Sequence, residues 1–130
     1  MAYVQGGQIP AVIHPEKLTH INFSFARIDA GRAVLDQPGV AADLAKLRAL
    51  KQMNPRLKVM VSVGGWLADG FSDAALTDSS RRTFADSAVA LLREYSLDGI
   101  DLDWEYPGVT RPAYIARNLL PPPIATAMRR

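Results

Sequence analysis

The chain has 130 residues, a formal net charge of +2, 48% hydrophobic and 22% charged residues, the dimensions of one globular domain. It contains no cysteine, which excludes a disulfide framework and a thiolate metal site. Its basic residues are scattered in short pairs such as Arg81-Arg82 and Arg129-Arg130; without a basic stripe interleaved with aromatics, nucleic acid is not an expected partner.

The N-terminal stretch MAYVQGGQIP has no charged region followed by an apolar core, so no signal peptide is visible and the location is not fixed by the sequence. No apolar run approaches the ~20 residues of a membrane span, and no membrane partner is expected. A short strand near Tyr3-Val4 is a weak expectation. The first clear strand signal is HINFSFARI, residues 20–28, where Ile21, Phe23 and Phe25 alternate with Asn22 and Ser24. Val40, Leu44, Leu47 and Leu50 then recur at helical spacing over residues 40–53, and Asn54-Pro55 stops that helix. KVMVSVGGW, residues 58–66, alternates Val59, Val61 and Val63 as a second strand. A second helix begins at Asp78 or Ser79, which supplies the N-cap, and runs to Tyr95 with Phe84, Ala88, Leu91, Leu92 and Tyr95 on one stripe. GIDLDWEY, residues 99–106, is the third strand, with Ile100, Leu102 and Trp104 on an apolar face to pack under helices. Strand, helix, strand, helix, strand is the order of βαβ units in a parallel sheet. After Tyr106 the periodicity is lost, and the triple proline at 121–123 predicts an irregular or weakly helical tail over residues 111–130.

The third strand carries the chemistry. Residues i and i+2 of a strand face the same way, so Asp101, Asp103 and Glu105 are expected in a row opposite the apolar face. Three adjacent carboxylates cannot be buried against hydrocarbon at acceptable cost. An EF-hand calcium loop is excluded, because the positions six and twelve counted from Asp101 hold Tyr106 and Pro112 instead of Gly and Glu. A metal site of another kind, a solvated edge strand and acid–base catalysis all remain open on this reasoning. In the last, mutual repulsion keeps one carboxyl protonated as a general acid, while another orients a polar substrate group.

DGIDLDWEYP, residues 98–107, resembles the D-x-x-D-x-D-x-E signature of glycoside hydrolase family 18, the chitinases. VMVSVGGW, residues 59–66, resembles the family's S-x-G-G motif, and HINFSFARI its second strand. The resemblance covers about residues 18 to 108. It implies a (β/α)8 barrel (TIM barrel) of which about the first four βα units are present, residues 1–110 forming the N-terminal half. It also implies hydrolysis of β-1,4 N-acetylglucosamine linkages in chitin or its oligosaccharides, by a substrate-assisted retaining mechanism that needs no cofactor and no metal. By motif position Glu105 is the general acid and later the base. Asp103 holds the N–H of the substrate's acetamido group, Asp101 shares a proton with Asp103 and helps it change orientation, and Asp98 is supporting.

Ser62, Gly64 and Gly65 read either as a tight turn or as a brace for Asp101 and a close backbone approach to the acids. Trp66 and Tyr106 are candidate sugar contacts or core aromatics. Phe23 is a further candidate contact, although it and Phe25 fit barrel packing better. Ser24, near the end of its strand, is placed to support the acids. His14 and His20 read as structural. The glycines of GGWLADG lack dinucleotide-binding spacing.

The chain departs from the family pattern in lacking an M-x-Y-D-like segment and a late-strand Trp, which implies a truncated or frameshifted product with impaired activity. Two open sheet edges would invite self-association. The alternatives are a non-catalytic, lectin-like chitin-binding protein and an endo-β-N-acetylglucosaminidase acting on N-glycans. An extracellular site of action is implied by the family alone.

Overall fold

A computed structural model describes residues 1–107; the expected tail over residues 111–130, and the domain end at 110, lie outside them. The elements are β1 (Ala2–Gln5), β2 (His20–Asp29), β3 (Arg32–Val34), α1 (Val40–Ala49), β4 (Lys58–Gly64), α2 (Phe71–Leu76), α3 (Asp78–Tyr95) and β5 (Gly99–Asp103). Strands β1, β2, β4 and β5 lie side by side in that order, all parallel, and β3 pairs antiparallel with β2. This is a run of βα units in a parallel sheet, as the alternation predicts.

The pairing register sorts the residues into two faces. Phe23, Val61 and Ile100 are in register on one face. There Ile21, Phe23, Val59, Val61 and Val63 are wholly buried together with Leu44, Leu47 and Leu57. On the opposite face Gln5, Ser24, Ser62 and Asp101 form one layer, with Tyr3, Asn22, Met60 and Gly99 below it. The valine-rich β4 is therefore the apolar spine under the helices, and its alternate residues look into the barrel side.

Element ends follow local chemistry. The helix expected to Met53 ends at Ala49 and tightens into a 3-10 turn over Leu50–Gln52. Asn54 then ties the loop down by donating its amide to the Pro15 and Leu18 carbonyls at 2.9 and 3.0 Å. α3 begins where expected, but its cap is Thr77. The Thr77 hydroxyl accepts from the Ser80 N–H and the Ser80 hydroxyl from the Thr77 N–H, a capping box. Two short elements were not foreseen. The β2–β3 hairpin turns on Ala30 and Gly31, with φ of 47° and 73°, a type I′ geometry whose usual Asn-Gly signal is missing. α2 follows the turn at Gly70 and is too short for a period to show.

The third strand ends at Asp103, so Glu105 lies beyond the pleat and does not continue the row of acids. The apolar face of β5 is also less covered than expected. Trp104 stacks on Phe71, with ring centroids 5.1 Å apart and planes at 9°, but Leu102 is 59% exposed. Among the described residues no helix is long and apolar enough to cross a membrane.

Candidate active site

The C-terminal ends of the strands bring Asp101, Asp103, Ser62, Gly64 and Gly65 together. β4 ends because Gly64 and Gly65 take φ of 120° and 91°, where a side chain is strained. The approach is close as well as twisted. A Cβ on Gly64 would sit 2.1 Å from the Asp103 carbonyl oxygen, and the Gly65 N–H donates to that same oxygen at 2.9 Å. The Gly-Gly pair is thus a turn whose backbone lies against the backbone of Asp103.

Asp101 receives three donors on one oxygen. Ser62 Oγ donates at 2.5 Å, Tyr3 Oη at 2.8 Å and Asn22 Nδ2 at 3.1 Å. Hydrogen bonds to an ionised acceptor are the short, strong ones. They fix the rotamer of Asp101 from three different strands. In return Asp101 holds the Tyr3 phenol above its ordinary value. Ser62 was identifiable from its motif, whereas Tyr3 and Asn22 were not singled out. The signal for Tyr3 was a four-residue strand, and for Asn22 only its place in an alternating run.

Asp103 is the perturbed acid. Burial first, then the charges of Glu105 and Asp101, then a side-chain hydrogen bond with Glu105, push its carboxyl above the usual aspartate range. Asp103 therefore holds its proton more tightly than an ordinary aspartate does.

The other candidates separate. Trp66 and Tyr106 expose their rings, at 65% and 48%, just past the ends of β4 and β5. Phe23 is wholly buried, so it packs the core and has no surface to offer a sugar; the strand alternation turns it to the helix side. Asp98 sits at the opposite end of β5, where Lys51 Nζ reaches it at 2.8 Å, Lys58 Nζ at 3.7 Å, and the Val59 N–H donates to it at 2.8 Å. It supports the β4–β5 pairing and touches nothing in the cleft. Among the described residues no group of three or more His, Asp or Glu side chains is arranged to hold a metal ion.

The sequence matches the family described as glycosyl hydrolases family 18 over residues 1–118. It is 51% identical over 85 residues to Chitinase A1 of Niallia circulans, covering 62% of this chain and 12% of that protein. It is 38% identical over 105 residues to Chitinase B of Serratia marcescens, covering 71% of this chain and 21% of that one. Among solved structures, the chitinase domain of the spore coat protein CotE from Clostridium difficile superimposes with a TM-score of 0.77 at 42% identity, over 95% of this chain and 33% of that one. The chain thus spans a third or less of these proteins, and its sheet and helices are a portion of the family's α/β barrel. On the match of residues 1–118, which takes in every residue of the acid cluster, the chain belongs to glycoside hydrolase family 18.

Proposed function

We propose that the cluster Asp101, Asp103 and Glu105 hydrolyses β-1,4 N-acetylglucosamine linkages in chitin or its oligosaccharides. Glu105 protonates the glycosidic oxygen and then activates water. Asp103 accepts the N–H of the acetamido group whose carbonyl oxygen attacks the anomeric carbon, so no carboxylate nucleophile is needed. The observation that carries this reading is the Asp103–Glu105 pair, a raised carboxyl in contact with a second acid at the C-terminal end of a parallel sheet. Trp66 and Tyr106 offer the sugar its apolar faces. From the family resemblance we infer a reaction outside the cell.

The test is release of product from an N-acetylglucosamine oligomer by the chain and by Glu105→Gln. Turnover lost in the variant with binding retained supports the hydrolase. Binding without turnover in both supports the lectin-like alternative, and cleavage confined to N-glycan cores supports the endo-β-N-acetylglucosaminidase.

We propose further that the outer strands β1 and β5, each paired on one side only among the described residues, make the chain self-associate. Sedimentation at several concentrations tests this, and a monomer at all of them contradicts it. Turnover by this chain is expected to fall below that of a complete barrel.

A further inference from the structure

The sequence holds two Asp-Gly dipeptides, Asp69-Gly70 and Asp98-Gly99. Glycine has no side chain to shield its backbone nitrogen, so the carboxyl of a preceding aspartate can approach it. The fold treats the two pairs in opposite ways.

Asp98 is tied across the sheet. Its carboxylate accepts from the Val59 N–H at 2.8 Å and from Lys51 Nζ at 2.8 and 2.9 Å, which holds it against β4. Gly99 is the first residue of β5 and pairs in register with Met60. Asp69 instead lies exposed in the loop between β4 and α2. Its Oδ1 accepts from the Gly70 backbone N–H at 2.7 Å, a local side-chain-to-backbone contact. The carboxyl carbon is one bond further on, no more than about 4 Å from that nitrogen. Groups react from separations of ~3–3.5 Å. The glycine is also fixed by the fold. Gly70 has a φ of 90°, and a Cβ there would sit 2.9 Å from Ile28 Cγ2, so a residue that shielded the nitrogen would be strained.

We propose that Asp69-Gly70 is a site of spontaneous succinimide formation and conversion to isoaspartate, and that Asp98-Gly99 is protected from it. The Gly70 nitrogen attacks Asp69 Cγ and forms an N–C bond. The Cγ–OH bond breaks, and its hydroxyl leaves with the amide proton as one water, closing a five-membered ring. A second water opens the ring. Cleavage of the new N–C bond restores aspartate. Cleavage of the original peptide bond leaves isoaspartate, with the main chain routed through Asp69 Cβ and Cγ. Water is the only co-reactant. The added main-chain carbon falls between the exposed Trp66 and α2.

The test ages the full chain at neutral pH, folded and in denaturant. Isoaspartyl carboxyls are then labelled by enzymatic methylation and located by peptide mapping. In the folded chain the label accumulates at residue 69 at least about tenfold faster than at residue 98, because only the first carboxyl is held at its glycine nitrogen. In denaturant neither carboxyl is held, and the two sites label at similar rates. Asp69→Glu, whose carboxyl would have to close a six-membered ring, loses the label at residue 69. Four results overturn the proposal: no label at 69 in the folded chain, equal rates at 69 and 98 in the folded chain, the same preference for 69 in denaturant, or label retained at 69 in Asp69→Glu. The readout needs no turnover, so it stands or falls apart from the hydrolase reading.

Discussion

Strand β5 is preceded by one aspartate and closed by another, and the two are held in opposite ways. Asp98 precedes the strand. Burial pushes its carboxyl up, but the Lys51 ammonium, the Val59 N–H and Lys58 together hold it below the usual value. Asp103 closes the strand. Burial pushes it up too, and its nearest charges are two more acids, so nothing opposes the rise. One end of the strand spends its charge on holding β4 to β5. The other end gathers like charge that only a substrate, a proton or a donor from elsewhere can relieve. The difference separates an acid that ties two strands together from one whose charged neighbours are all acids, although the signature D-x-x-D-x-D-x-E treats them alike.

The largest effect that would break this comparison is on rate. Glu105→Gln lowers turnover of an N-acetylglucosamine oligomer by about 10²–10⁴-fold, the contribution of one general acid–base group, with a melting temperature near wild type; equal turnover would remove Glu105 from the mechanism. The next is on stability. Asp98→Ala costs about 2 kcal/mol, because the Val59 N–H loses its acceptor and two lysines lose their shared anion. Chemical denaturation measures this, and the same variant leaves the proton affinity of Asp103 unchanged.

The pH dependence sharpens the contrast through its sign. Asp98 has a lowered folded value, so its stabilisation is present above the unfolded value near 3.9 and is lost as pH falls through the folded one. Asp103 has a raised folded value. Its contribution is favourable at low pH, when it is protonated, and is lost as pH rises through that value. Asp103→Asn is therefore expected to stabilise the chain at neutral pH and Asp98→Asn to destabilise it, the first effect fading as pH falls below the unfolded aspartate value and the second only as it falls through the lowered folded value of Asp98. The smallest effect is at the brace. Ser62→Ala costs about 1 kcal/mol by removing one of the three donors to Asp101, and Tyr3→Phe costs less because Tyr3 is half exposed.

The strand–helix alternation was legible because Val59, Val61 and Val63 keep a strict period of two and α3 a long stripe. The hairpin at Ala30-Gly31 was not, because Ala30 accepts a left-handed φ that its residue type does not advertise. Within the site, the acids and Ser62 stand out because they are consecutive or motif-borne. Tyr3 and Asn22 could not, since Tyr3 reaches Asp101 across 98 positions of sequence, and only the parallel register brings them there. Glu105 was placed correctly in sequence but wrongly on the pleat, because the strand stops at Asp103 and periodicity cannot show where pairing ends. Phe23 was carried as a sugar contact for its ring, although its alternation with Asn22 and Ser24, shared with Ile21, already turned it to the helix side.

The most direct test of the comparison is the titration of Asp98 and Asp103 followed by carboxyl carbon NMR in one sample. The two midpoints are expected to fall on opposite sides of the ordinary aspartate value, Asp98 below and Asp103 above. Both midpoints on the same side would contradict the division of β5 into a structural end and a chemical one.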